Sequence, residues 1–265
     1  MDIHKPKAAH SWREFLIEIG TIICGILIAL GLEQIADGLH WRHKVEQAET
    51  VMGLELRDDN GPQAYARVVA VGCLDSELNQ LEAMASRRAD RRAFRKAAVA
   101  YYPPNRTWDT ESWKATVAAD IGPHIGADML NQWAAPYRML PVMSRLGELE
   151  QRDRATLAAV ADAAGPLTEQ EVERLLPAIS QLRASNLQFG FEGAIFLKSL
   201  EDLHLGLSPE SARPVLDQAR SRFGACAATP DLARLRASGR TSSEGLDQFP
   251  TETVVRSWVG LPPKP

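Results

Sequence analysis

The feature that most constrains this chain is one long apolar segment near its N-terminus. Residues 19–32 contain no charged side chain, and Phe15 and Ala36 extend the apolar stretch to 22 residues. At about 1.5 Å per helical residue this length spans about 33 Å, which matches a hydrocarbon layer of about 30 Å. Trp12 and Trp41 stand outside the two ends, where indole rings settle among lipid headgroups. We therefore predict a transmembrane helix over residues 15–39, preceded by an N-terminal flank over residues 1–14.

Two alternatives compete with a membrane span. The charge-free part alone covers about 21 Å, which also suits a buried helix of a soluble protein. A cleaved signal peptide is the second alternative, because a basic region precedes the apolar core. Glu14 and Glu18 interrupt that passage, however, and helix-forming sequence continues beyond the potential cleavage site at residues 29–31. An uncleaved signal anchor is the interpretation we favour.

The polar and small residues of this segment share one side of the predicted helix. At about 100° per residue, Thr21, Gly25 and Ala29 form a ridge of small side chains that allows a second helix to approach closely. Glu18 and Glu33 lie on the same side near the two membrane interfaces, where they reach water or a polar group of a partner. We predict a self-associating span, with a lone anchor as the alternative.

The charges on the two flanks predict an orientation. Lys5, Lys7 and Arg13 precede the span, whereas Arg42 and Lys44 follow it. This small excess of positive charge favours a cytoplasmic N-terminus and places the bulk of the chain on the other side of the membrane.

The opening of the chain resembles a known group of proteins. The stretches HKPKAAHSWREFLIEIG and GILIALGLEQ are similar to the N-terminus of a family of uncharacterised bacterial single-span proteins, which carry HKPK, Trp-x-Glu-Phe-Leu and ALG-x-EQ segments. A looser similarity covers TWDTESWKATVAADIGPHIGADMLNQW. The resemblance implies a bacterial single-span protein with a helical domain, and it implies no catalytic residue. With the orientation predicted from the flanking charges, we expect an inner-membrane protein whose main domain lies in the periplasm.

The rest of the chain reads as helical, so we predict an all-α fold in which the span continues into an irregular helical bundle. A membrane-proximal stalk begins the domain at residues 40–239, and Asn60-Gly61-Pro62 predicts its end and an antiparallel return. Thr168 and Glu171 have the spacing of a capping box. Residues 240–265, rich in glycine, serine and proline, are predicted to form an exposed tail.

Two further sets of residues are candidates for chemistry or packing. Glu33, Asp37, His40 and His43 lie near one helical face and are weak metal candidates, but no second element supplies ligands. We interpret them as a polar turn at the membrane surface. Four aromatic residues at helical spacings are expected in the core rather than in a ligand cage: Trp108, Trp113, Trp133 and Tyr137.

The cysteines do not form a recognisable framework. Cys24 lies inside the apolar segment, so only Cys73 and Cys226 are able to pair, and only in an oxidising compartment. We expect these two to be unconnected buried thiols.

A basic block follows the second predicted helix: Arg87, Arg88, Arg91, Arg92, Arg95 and Lys96. Such a block binds anionic lipid or nucleic acid in some proteins, but a solvated helix face is the more common role. The net charge of the chain is −4, which gives no bias towards nucleic acid, and a domain outside the cytoplasm excludes that partner.

The sequence contains no nucleophile elbow, phosphate-binding loop, His-Glu-x-x-His pair or Cys-x-x-Cys pair. We therefore expect a non-enzymatic, membrane-anchored helical protein that needs no cofactor. Its expected partners are the lipid bilayer, a second copy of the span and an unidentified protein, through which it acts in interaction or sensing. An envelope enzyme or metal-binding protein that uses the membrane-proximal carboxylates and histidines is the alternative.

Overall fold

The computed structural model describes residues 12–104, 107–207 and 209–228. Within these ranges the protein is all-α, as predicted: the backbone forms helices and no strand, and the one β-bridge joins Asp90 to Pro166. The predicted tail at residues 240–265 and most of the N-terminal flank lie outside the described residues. The chain divides into two compact units, the first ending at Glu49 and the second beginning at Thr50.

Seven α-helices and three shorter helical segments are present in the described ranges. The α-helices are α1 (Trp12–Leu54), α2 (Gly61–Ser86), α3 (Arg91–Ala100), α4 (Glu111–Ala118), α5 (Ala127–Ala158), α6 (Glu169–Asp202) and α7 (Pro209–Phe223). A π-helix (Glu55–Asn60) stands between α1 and α2, and 3₁₀-helices occupy Gly122–His124 and Gly224–Ala228.

The predicted turn at Asn60-Gly61-Pro62 is wrong, because the backbone stays helical through these residues. Asn60 and Gly61 both have right-handed helical dihedral angles, and the Gly61 amide donates to the carbonyl of Leu56, five residues earlier. This wider π-helical spacing accommodates Pro62, whose missing N–H and bulky ring conflict with the ordinary α-helical pattern. The chain therefore continues directly into α2 without reversing.

The core of the second unit is built on α2, which packs most extensively against α6. Two contacts along the helices define the direction of α6: Arg183 Nε lies 3.3 Å from Asp75 Oδ1, and Gly193 lies against Val68. Rising residue numbers on α6 thus meet falling numbers on α2, so the two helices are antiparallel. A Cβ at Gly193 would lie only 3.3 Å from the carbonyl oxygen of Ala64, so glycine permits this close approach.

Helix α5 packs on α6 and completes the core. Tyr137 contacts Glu55 and Glu150 contacts Arg67, so α5 runs in the same direction as the helical segment from the π-helix into α2. Pro136 lies inside α5 without ending it. Between α2 and α5 the chain passes through α3, the non-helical residues 101–104 and α4.

Several local predictions are confirmed. Thr168 and Glu171 form the expected capping box at the start of α6, with both reciprocal hydrogen bonds present. Trp108 and Trp133 are buried in the core, and Trp113 stacks on the buried ring of Tyr137 with centroids 5.2 Å apart.

Candidate functional site

The most distinctive surface of the protein is the apolar part of α1, in the first unit. None of its most apolar 18-residue window is buried, and within the part of the chain that the structure describes it is the one helix long and apolar enough to cross a membrane. Large exposed apolar patches on a folded chain mark contact with lipid or with another protein. The exposed side chains cover all sides of the helix: Phe15, Leu16, Ile17, Ile19, Ile22, Ile23, Ile26, Leu27, Ile28, Leu30, Leu32, Ile35 and Leu39.

The residues predicted to mediate helix contact all lie on the exposed surface of α1. A Cβ added at Gly25 meets no atom within 4 Å, so this position is open to an approaching helix. The hydroxyl of Thr21 donates to the carbonyl oxygen of Ile17 at 2.8 Å, which satisfies its hydrogen-bonding need within the helix. Ala29 is exposed, as are Glu18 and Glu33. Their contact with a second copy stays a prediction.

The weak metal candidates Glu33, Asp37, His40 and His43 all lie on α1. No group of three or more His, Cys, Asp or Glu side chains converges in a metal-binding arrangement among the described residues. The ring of His43 instead lies 3.0 Å, Nε2 to Nε2, from the side-chain amide of Gln47. A single helix supplies these side chains without the second element that rigid coordination needs.

Much of the predicted anionic-surface block is engaged inside the second unit. Asp90 begins α3 by accepting hydrogen bonds from the amides of Arg92 and Ala93, and these bonds, that of Ala93 first, lower the pKa of its carboxyl group. Four of the six basic residues contact either the segment between α5 and α6 or the first turn of α6. The contacts are Arg88 with Glu169, Arg91 with Glu171, Arg92 with Asp162, and Arg95 with the carbonyl of Val160. These contacts favour a structural role, and anion binding by Arg87, Lys96 and their neighbours stays a prediction.

The expectation that Cys73 and Cys226 are unconnected is wrong, because the structure joins them in a disulfide. Their Cα atoms are 5.7 Å apart although 153 positions separate them in the sequence, so no local spacing indicates the bond. It ties the 3₁₀-helix Gly224–Ala228 to α2. Cys24 remains a free, exposed thiol on α1.

A buried ion pair links α2 and α5. Arg67 Nη2 donates to Glu150 Oε1 at 2.6 Å, and each side chain is only 1% exposed. The guanidinium carbon of Arg67 lies 4.1 Å from the ring centroid of Phe189 on α6, so the cation also stacks on an aromatic face. Sequence reasoning missed this pair. The available signal was a single charge at Arg67 within the apolar run at residues 64–71.

Polar side chains of the π-helix hold the loop that precedes α4. Asn60 and Asp109 exchange two hydrogen bonds, with the Asn60 amide donating at 2.9 Å and the Asp109 main-chain amide donating at 3.0 Å. Glu55 accepts from the Tyr137 hydroxyl at 2.8 Å and from the Ser112 amide at 2.9 Å, which caps α4 from outside. Burial, followed by this carboxylate, raises the pKa of Tyr137. Through this network the π-helix fixes the position of the loop that precedes α4.

Comparison with known proteins identifies no family for this chain. No protein-family model, curated protein or solved structure matches the chain. The resemblance of residues 4–20 and 25–34 to bacterial single-span proteins therefore stays a prediction.

Proposed function

We propose that the chain is a non-enzymatic, membrane-anchored helical protein whose α1 crosses the bilayer once and whose second unit is displayed for protein contact or sensing. The observation that carries this proposal is the apolar stretch of α1, which is exposed on every side. Water penalises such a surface by about 25 cal/mol per Å² of apolar area, and lipid removes that penalty. A continuous helix also satisfies its own backbone hydrogen bonds, which a spanning segment requires.

The proposed location of the second unit is the periplasmic side of a bacterial inner membrane. The Cys73–Cys226 disulfide supports this location, because disulfides persist in oxidising compartments and are rare in the cytoplasm. The basic residues before the span support the same orientation, with the N-terminus in the cytoplasm.

A topology experiment tests the anchor and its orientation together. The full-length chain carries a C-terminal reporter, either alkaline phosphatase, active outside the cytoplasm, or green fluorescent protein, fluorescent inside it. We expect phosphatase activity, no fluorescence, and retention in the membrane pellet after carbonate extraction. Release by carbonate would contradict the anchor, and a fluorescent fusion would contradict the orientation.

Counting thiols in cells gives an independent measure of the compartment. The chain has three cysteines, so a maleimide-linked polymer added after denaturation attaches once, at Cys24, when the disulfide is intact. Three attachments from freshly acid-quenched cells would show that Cys73 and Cys226 are reduced, which contradicts an oxidising compartment.

We further propose that two copies of α1 associate through Thr21, Gly25 and Ala29. The small side chains allow backbones to approach, and Glu18 and Glu33 provide polar partners at the two ends. Gly25→Leu places a bulky side chain on this ridge and is expected to weaken the oligomer. Gly20→Leu is the matched control, since Gly20 lies about 200° around the helix from Glu18 and is equally open.

The oligomeric state is measured by cross-linking in native membranes and by sedimentation in detergent. Loss of the oligomer in Gly25→Leu but not in Gly20→Leu supports the ridge. Equal behaviour of the two variants, or a monomeric wild type, refutes self-association and leaves a lone anchor.

A further inference from the structure

Helix α7 and the 3₁₀-helix that follows it form a clamp on α2, here called the α7 clamp (residues 209–228). Its principal contacts outside itself are with α2. The Cys73–Cys226 disulfide joins the two, and the side chain of Arg222 donates to the carbonyl oxygen of Ala100 at 3.0 Å. Arg222 also lies 3.5 Å from a carboxylate oxygen of Glu77.

The buried side chains that the clamp contributes to this contact are mostly small. Among the clamp side chains that the structure describes, three alanines and Leu216 are buried, while Val215 and Phe223 are partly buried. Alanine removes little apolar area from water, so these side chains contribute little on burial. The ion pair between Arg222 and Glu77 is about one-third exposed on each side and is correspondingly weak. The covalent bond is therefore the principal restraint on the clamp.

The two sulfur-bearing residues differ sharply in accessibility. Cys73 is 3% exposed on α2, whereas Cys226 lies on the exposed surface of the clamp. Thiol–disulfide exchange begins when a thiolate attacks one of the two sulfur atoms, and access decides which one. An external nucleophile reaches Cys226 and is excluded from Cys73.

We propose that Cys226 is a thiol–disulfide exchange site at which an external dithiol opens the disulfide and releases the α7 clamp from α2. A thiolate of the dithiol attacks Cys226 Sγ, the bond to Cys73 breaks, and Cys73 leaves as a thiolate that takes a proton. The second thiol of the dithiol then attacks its own mixed-disulfide sulfur and frees Cys226 as a thiol. The protein gains two electrons and two protons, and the dithiol becomes a cyclic disulfide.

Two ionisable groups of α2 lie near arginines of the clamp. Tyr65 is fully buried, and burial is the main reason why its pKa is raised to about 12. The nearby charge of Arg220 on the clamp opposes this increase. Burial likewise raises the pKa of Glu77, against the opposing effect of Arg222. Loss of the clamp moves Arg220 away from Tyr65 and Arg222 away from Glu77, so the titration of both groups is expected to change on release.

The first arm of the test identifies the attacked sulfur. The full-length chain in detergent is incubated with glutathione, a monothiol that stops at the mixed disulfide, and the products are quenched with acid and mapped by mass spectrometry. We expect glutathione on Cys226 and a free thiol at Cys73. Glutathione on Cys73 in the folded protein would overturn the assignment.

The second arm measures release after dithiothreitol opens the bond. Trypsin is expected to cleave after Arg220 and Arg222 in the clamp at least about tenfold faster than in the oxidised protein, because a detached segment loses protection. Arg138 and Arg145 on α5 are the internal controls and are expected to keep their oxidised rates. A Cys73→Ser, Cys226→Ser double variant is expected to behave like the reduced protein.

Two outcomes would overturn the proposal. If the clamp sites stay protected from trypsin after reduction, noncovalent contacts are sufficient to hold α7 on α2 and the disulfide does not control its release. If the α5 sites open in parallel, reduction unfolds the whole unit. The inference does not depend on the insertion of α1 into a membrane, so failure of the topology experiment leaves it intact.

Discussion

Replacing Glu150 with glutamine tests the energetic role of the buried ion pair between α2 and α5. Glutamine keeps the shape of the side chain and removes its charge, so the Arg67 cation stays 1% exposed without its carboxylate partner. Breaking one side of a buried pair costs about 3–5 kcal/mol, because it leaves an uncompensated charge out of water. This is a large share of a typical free energy of unfolding of about 5–15 kcal/mol.

Urea unfolding of the full-length chain in detergent, followed by tryptophan fluorescence, measures this loss. Glu111→Gln is the matched control, since it removes the same charge from the Lys114–Glu111 pair, whose side chains are 64% and 76% exposed. Exposed pairs contribute about 0–1 kcal/mol, so the control is expected to remain near the wild type. Replacing both buried partners, Arg67→Met with Glu150→Leu, is expected to recover most of the stability because no charge stays buried.

The reasoning is refuted if Glu150→Gln lies within about 1 kcal/mol of the Glu111→Gln control. It is also refuted if the double replacement is as unstable as Glu150→Gln alone, since the loss would then arise from packing rather than from an unpaired charge.

Three further predictions concern the second unit. Gly193→Ala pushes a methyl group against the Ala64 carbonyl and should lower the free energy of unfolding by about 1–3 kcal/mol. The control Gly72→Ala places its methyl group in open space and should raise the free energy of unfolding by up to about 1 kcal/mol. Equal unfolding midpoints for the two variants would contradict this. Burial raises the pKa of Tyr65 to about 12 from about 10, so its neutral form stabilises the fold below about pH 10 and this contribution is lost as the pH rises towards the folded value. Stability of Tyr65→Phe should then decline less steeply over that range, and identical slopes would refute the assignment. Thr168→Ala removes the capping box and should lower the free energy of unfolding by about 1 kcal/mol, which thermal unfolding measures against a wild-type midpoint.

Local signals predicted the helical elements well. The apolar length of residues 15–36 predicted a long helix, and α1 covers it. The Thr168 and Glu171 spacing predicted the start of α6, because a capping box needs only two residues three positions apart along the chain. The predicted turn at Asn60-Gly61-Pro62 was wrong, because a π-helical segment continues the helix beyond Pro62. Glu55 and Asn60 of this segment are hydrogen-bonded to Ser112 and Asp109. These hydrogen bonds join residues about 50 positions apart, so no local sequence pattern indicates them.

The candidate sites divide in the same way. The exposed stripe of Thr21, Gly25 and Ala29 follows from helical periodicity alone, and its role in association stays a prediction. The disulfide was missed because two cysteines 153 positions apart carry no spacing signal. The partner of Arg67 was missed because Glu150 lies in an ordinary charged stretch of sequence.

The sequence by itself determined the all-α class, the apolar helix and the caps, because each depends on side chains within a few turns of one another. Only the tertiary structure decided that α5 runs parallel to α2, that Arg67 finds Glu150, and that Cys73 meets Cys226. These contacts join residues 83 and 153 positions apart. Their formation depends on how whole helices pack against each other, and the free energy of that packing is spread over the entire core.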